Sequence, residues 1–294
     1  MTLCIAAACV EKKEPRIVTC IDWKTSSALG SSQTFDKFKK ICPGWIALMA
    51  GKASRAKEMV AAVSKVFKGA PEITGENAAT LVKIATITHA RGLRDEYCGF
   101  RFGLSYEDFQ KWCATVNPVL AKPYIDELSQ IKFGASLLVA GFVKDDKGKP
   151  RPLICKATQS NSEVVVEEHF GAIGEGISVA VPPLLRREYD WEETQLPKAI
   201  YYLYEAKTLA EIIDSVGPST SVDVLYPGGE VKSLETIGYK YYDELLKEFG
   251  PKPRVTGIEW NDKYLGPFDE DEEDEKDTKQ PSPKSKSQKL KSKQ

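Results

Sequence analysis

The chain has 294 residues, a mass of 32.6 kDa and a formal net charge of −1, from 41 Lys and Arg against 42 Asp and Glu. That length holds one large domain or two small ones, and 42% hydrophobic with 28% charged residues is enough to bury a core without disulfides or metals. Balanced charge supplies no overall field for a polyanion, which argues against a nucleic-acid partner.

Seven cysteines (Cys4, Cys9, Cys20, Cys42, Cys98, Cys113, Cys155) are scattered through apolar stretches without a CxxC, and only His89 and His169 represent histidine. This excludes the paired ligands of a zinc site and the even, dense set of a disulfide framework. No metal and no cofactor is expected, and the thiols read as free in a reducing cytoplasm. No apolar run approaches the ~20 residues of a bilayer crossing, and the N-terminus lacks a signal-peptide pattern. The expected location is therefore cytoplasmic, with no membrane partner.

In chain order, the apolar runs 2–9 and 16–22 flank the polar turn EKKEP and predict two paired strands. Residues 23–36 are rich in Ser, Thr and Gly. FKKIC and WIALMAG around Pro43 and Gly44 predict a second hairpin. Helical spacing begins at Ser54, with Met59, Val60, Val63, Val66 and Phe67 on one face, and Gly69 and Pro71 end it. A second helix is predicted over 76–97, then a mixed, aromatic segment 98–132 with a helix over PYIDELSQI. Strands follow at 134–143 and 151–158 around DDKGKP, continuing through 163–174 to a tight turn at Gly174–Gly176. Helices at 178–189 and 195–213 precede a closing hairpin at 222–234. Strands and helices come in separate blocks, which argues against a doubly wound parallel sheet. The pattern predicts an α+β fold of two antiparallel sheets covered by helices. Inner strands buried on both faces account for continuous apolar runs such as SLLVAGFV.

The organisation expected is one domain over 2–266, with 98–132 as a helical insertion, and a disordered tail over 267–294. The tail is acidic at first and Lys/Ser-rich at its end, and it has too little apolar surface to offset the entropy of ordering. The pairs Lys39–Lys40 and Arg186–Arg187 read as solvated faces. His89 and His169 read as core or groove histidines.

The residue with chemical potential is Thr2. Removal of Met1 would leave its α-amine and hydroxyl on one residue, and an α-amine of pKa ~7.7–8.0 can take the hydroxyl proton near neutrality. Such a site needs a nearby cation, a carboxylate to hold it and a backbone N–H for the oxyanion. Asp22 at the end of the second strand, Lys37 opening the next hairpin and Gly51 closing it stand where strands of one sheet could converge on Thr2.

The segments TLCIAAAC, IVTCIDWKTSS and KFKKICPGWIALMAG resemble the start of proteasome β-subunits and of their bacterial relatives of the HslV and Anbu type. GASLLVAGFV, FGAIGEG and IIDSVGPSTSVDVLY extend the resemblance over roughly residues 2–235. It implies a four-layer αββα sandwich of the N-terminal-nucleophile (Ntn) hydrolases. It also implies a threonine-type endopeptidase: Thr2 as nucleophile and amine base, Lys37 lowering its pKa, Asp22 pairing with Lys37, Gly51 donating to the oxyanion, and Asp214 in support. Thr25, Phe35, Met49 and Ala53 would form an apolar pocket for the residue before the cut. The implied partners are a peptide or unfolded-protein substrate, further copies of the chain in a ring or spiral, and an ATP-dependent unfoldase. Two positions depart from the family pattern. Glu175 and Gly217 stand where serines are usual, with Glu175 a substitute proton acceptor if it faces the site. A catalytically silent scaffold subunit and an amidase acting on a small amide stay open as alternatives.

Overall fold

The apolar runs that flank each predicted turn pair as antiparallel strands. In the computed structural model, which describes residues 3–27, 30–32, 37–116, 118–131, 134–158, 164–250 and 261–267, β1 (Leu3–Glu11) and β2 (Glu14–Asp22) form an antiparallel hairpin with Cys4 opposite Ile21. Lys12 and Lys13 turn the corner with φ of 50° and 72°, the left-handed geometry that suits the twist of a tight hairpin. β10 (Phe170–Gly174) lies on the other side of β1, with Gly174 opposite Leu3. β11 (Thr220–Leu225), β12 (Val231–Leu234) and β13 (Leu265–Pro267) complete a six-stranded sheet in the order β10-β1-β2-β11-β12-β13. A second sheet has the order β5-β6-β7-β8-β9, built from Phe38–Cys42, Trp45–Gly51, Ala135–Lys144, Pro150–Ala157 and Val164–Glu167. The Ser/Thr-rich stretch carries a small hairpin, β3 (Thr25–Ser27) and β4 (Gly30–Ser32).

Alternation divides each inner strand between two cores. Leu3, Ile5, Ala7 and Cys9 of β1 pack under α5 (Ile177–Arg186), α6 (Leu196–Ala210) and α7 (Thr236–Phe249). Cys4 and Ala6 of the same strand face the other sheet, where they meet Ile46, Leu48 and Ala50 of β6. Trp45, Ala47 and Met49 of β6 point the opposite way, onto α1 (Ala53–Gly69) and α2 (Ala78–Phe102). The result is helices, sheet, sheet, helices.

Three expectations need correction. The helix expected over 195–213 stops at Ala210 as α6, so Ile212 and Ile213 join Asp214 in the turn that follows it. α7 did not stand out among the sequence elements, although Tyr242 and Leu245 place an apolar face against the six-stranded sheet. Arg187 is not a solvated residue: its side chain is 4% exposed and pairs with Glu205, whereas Arg186 is exposed. Within 98–132, α2 runs on to Phe102 and is capped by left-handed Gly103. α3 (Tyr106–Thr115) and α4 (Pro118–Ser129) then fold back on it. Phe102 stacks on Phe109 at 4.9 Å and meets Tyr124 edge-on at 5.2 Å, so with Tyr106 it serves a small local core rather than an open face. Phe100 is 95% exposed. Thr2, Phe35 and the expected tail beyond Pro267 lie outside the described residues.

Candidate active site

The end of β2 is where the polar chemistry gathers. Asp22 closes the strand with its side chain wholly buried. Burial of a carboxylate is costly unless its oxygens are matched, and they are matched from three elements. Oδ1 accepts the backbone N–H of Lys24 and that of Gly217, both at 2.8 Å. Oδ2 accepts from the Lys37 ammonium at 3.3 Å. Lys37, 2% exposed, also donates to the carbonyl oxygens of Asp22 and of Lys24, the latter at 2.6 Å. An ammonium has three protons, and three oxygens face it.

Asp22 and Lys37 do not converge within one sheet. Asp22 belongs to the six-stranded sheet, while Lys37 precedes β5 and Gly51 ends β6 in the other sheet. The ion pair ties the two layers together at one end, and a second tie lies beside it, where the Cys4 thiol donates to the Met49 carbonyl at 3.3 Å. Burial pushes the Lys37 pKa below its ordinary value. Cys4 and Asp22 pull it back up, and the charge of Lys207 adds to the downward push.

Gly51 is exposed and has φ +103°. A Cβ there would lie 2.8 Å from the Ala135 Cα and collide with the Gly134 carbonyl, so close approach to β7 and a left-handed backbone both require glycine. The start of β1 meets the Gly174–Gly176 turn. A Cβ on Gly176 would stand 3.1 Å from Leu3 and 3.0 Å from Val216. Leu3, the residue after Thr2, is thus enclosed by β10, by this turn and by the 211–218 turn that holds Asp22. Met49 and Cys4 line the same end of the sandwich.

The remaining expected site residues fall as follows. Asp214 is exposed, and its carbonyl accepts from the Lys24 ammonium. Glu175 is exposed. Thr25 has its backbone in β3, Met49 is fully buried toward α1, and Ala53 is half-buried at the start of α1. A Cβ at Gly217 would meet the Lys24 Cβ at 2.6 Å and Asp22 Oδ1 at 3.0 Å. The side chain of Lys24 therefore occupies the space a serine there would need. Lys24 was not foreseen as a site residue; its signal is its place two residues after Asp22, where a chain folding back on a carboxylate offers its own N–H. Lys207 was also missed. It lies on the apolar stripe Ile200–Leu203–Lys207 of α6, a spacing that buries whatever it carries.

His89 packs in α2 with Nδ1 4.0 Å from Glu58, and burial pushes its pKa down. His169 accepts from the Trp191 N–H at 3.4 Å. The described cysteines are unbridged, and burial raises Cys20 and Cys155 to about 12. Among the described residues no group of His, Cys, Asp and Glu could hold a metal, and no helix is long and apolar enough to cross a membrane.

No protein-family model matches the chain, and no curated protein matches it. Among solved structures it is similar to the Anbu (Gly-1) mutant from Hyphomicrobium sp. strain MC1, at 16% identity and a TM-score of 0.54, covering 85% of this chain and 98% of that one. The layer order, the strand pairing and this match agree: the chain has the Ntn-type fold of Anbu, a relative of the proteasome.

Proposed function

We propose that the chain is a threonine-type endopeptidase of the proteasome β-subunit superfamily, with one domain over 2–266, an insertion at 98–132 and a charged tail beyond. The observation that carries the reading is the buried Asp22–Lys37 pair, held from three elements beside Leu3. A cation buried at that position would favour a neutral Thr2 amine and a developing alkoxide, once Met1 is removed.

The reaction then runs in two stages. The Thr2 oxygen attacks the scissile carbonyl carbon while the α-amine takes its proton. The Gly51 N–H meets the negative oxygen of the tetrahedral adduct. The C–N bond breaks, the departing amine takes the proton back, and an ester on Thr2 remains. Water, deprotonated by the same amine, attacks the ester, and Thr2 regains its hydroxyl. Asp214 acts in support through the turn that carries it. Thr25, Phe35, Met49 and Ala53 set an apolar preference before the cut. Copies of the chain assemble as a ring or spiral in the cytoplasm, and an ATP-dependent unfoldase delivers the substrate.

The test joins N-terminal mass spectrometry, cleavage of a fluorogenic peptide with an apolar residue before the scissile bond, and capture by a threonine-directed electrophile. A Met-processed wild type should cleave and form the adduct, and Thr2→Ala should do neither while keeping the fold. Retained Met1 in the purified protein, or cleavage that survives Thr2→Ala, ends the threonine reading. Light scattering at a mass of 32.6 kDa would end the assembly. The scaffold alternative draws on one observation, that Lys24 fills the place of a serine side chain at 217. A processed, assembled wild type without activity or adduct would favour it.

A further inference from the structure

Lys207 has no exposed surface. On the apolar stripe of α6 a leucine would pack as well, and a lysine there must find partners for its charge. It finds Glu211 Oε1 at 2.7 Å and the Pro218 carbonyl at 2.8 Å. Those two residues bracket the turn 211–218. Gly217, one residue before Pro218, gives its N–H to Asp22 Oδ1. In the middle of the same turn the Asp214 carbonyl accepts from Lys24, whose own carbonyl accepts from Lys37.

From this geometry we infer that Lys207 is a positioning residue: it clamps both ends of the 211–218 turn, so that the Gly217 N–H holds one oxygen of Asp22 while Lys37 holds the other. Lys24 clamps the middle of the turn. The clamp also accounts for glycine at 217. The turn offers Asp22 a backbone N–H where a side-chain hydroxyl has no room, because Lys24 lies against it. For its effect on turnover the inference rests on the peptidase reading above; for its hold on Asp22 through the 211–218 turn it rests on the geometry alone.

Lys207 acts on Lys37 through charge as well as through position. The charged and titratable groups that act on Lys37 are Asp22 from β2, Cys4 from β1 and, through charge without contact, Lys207 from α6. Asp22 and Cys4 favour the ammonium and Lys207 opposes it. Removing Lys207 therefore moves the loss of the Lys37 charge to higher pH, whereas arginine at the same position leaves it in place.

The experiment compares wild type, Lys207→Met, Lys207→Arg and Glu211→Gln in the full chain. Three readouts apply: amide exchange at Gly217, an NMR titration of the Lys37 side chain, and the kinetics of peptide cleavage. Lys207→Met should speed exchange at Gly217 by about tenfold, with β6 and β7 amides unchanged. The Lys37 titration should move to higher pH. Turnover should fall by up to about 100-fold, the scale of a small misplacement in an acyl-transfer site, with KM within about twofold. Lys207→Arg should restore the wild-type titration and part of the turnover. Glu211→Gln alters the partly exposed end of the tether, so it serves if Lys207→Met fails to fold, and it should speed Gly217 exchange in the same direction but less. Gly217 exchange that only follows global stability, with Lys37 titrating as in wild type, overturns the inference. An inactive wild type would sink the peptidase reading, while exchange and titration still decide the role of Lys207.

Discussion

Two buried ion pairs differ in what surrounds them. Asp22–Lys37 joins the facing sheets, with exposures of 0% and 2%, and backbone groups from the Lys24 and Gly217 segments close around it. Arg187–Glu205 joins the end of α5 to α6, with exposures of 4% and 0%, and the guanidinium lies 4.2 Å over the Tyr202 ring. The second pair is wrapped in aromatic packing within one helical layer. The first stands where the end of β2 meets the residue that opens β5, one strand from each sheet. Burial alone therefore does not mark a site. What distinguishes Asp22–Lys37 is the convergence of donors and acceptors from several elements of both sheets.

Deleting each cation should separate the two. Lys37→Ala should lower turnover by about 10²–10³, the cost of one preorganised electrostatic group in acyl transfer, and more than Asp22→Asn does. Arg187→Met should instead destabilise by about 3–5 kcal/mol, because Glu205 keeps a buried charge without its cation. Its folded fraction should turn over within about twofold of wild type. Denaturant unfolding and turnover normalised to electrophile-labelled sites give both quantities. An active Lys37→Ala protein, or an inactive but stable Arg187→Met protein, would erase the distinction.

Gly51 tests the backbone side of the same comparison. Gly51→Ala should destabilise by at least about 1–3 kcal/mol from the left-handed φ alone, and the Cβ must also push β7 away at Ala135 and Gly134. Since Gly51 is the oxyanion donor in the proposed mechanism, turnover per folded molecule should fall with it. Stability loss with unchanged turnover per folded molecule would remove Gly51 from the mechanism and leave it a packing glycine.

What the sequence made legible follows from periodicity. Continuous apolar runs such as SLLVAGFV foretold inner strands buried on both faces, and the cores on either side of β7 bear that out, with Leu137 and Val139 in one and Leu138 and Ala140 in the other. α7 escaped notice because its buried face is built from Tyr242 and Gly238 beside Leu245, a pattern whose apolar spacing is diluted by tyrosine and lysine. At the site, Asp22 and Lys37 were legible as strand-end residues. That they come from different sheets was not, since no local signal says which hairpins share a sheet. Arg187 looked solvated because it follows Arg186, and its partner lies 18 positions further along the chain, at Glu205. Lys24 and Lys207 act through backbone carbonyls, Asp214 for one and Pro218 for the other, and carbonyl acceptors leave no trace in residue identity.

The smallest effect is expected at Glu175, the residue that replaces a serine in the turn before α5. If this carboxylate stood in as a proton acceptor, its removal would be as costly as that of Lys37. The structure points the other way. Glu175 is exposed, and the approach of its turn to β1 is made by Gly176, whose missing Cβ admits Leu3 and Val216. A solvated carboxylate has little to lose on neutralisation, and surface changes of this kind stay within about 0.5 kcal/mol. Glu175→Gln keeps the shape and removes the charge, so it isolates the electrostatic part. Turnover should stay within about threefold of wild type, since about 1.4 kcal/mol is needed for each tenfold, and the pH profile should keep its position. A fall of a hundredfold would place the Glu175 carboxylate beside the reacting groups in the assembled enzyme. It would extend the site beyond the Asp22–Lys37 end of the sheets to the turn between β10 and α5.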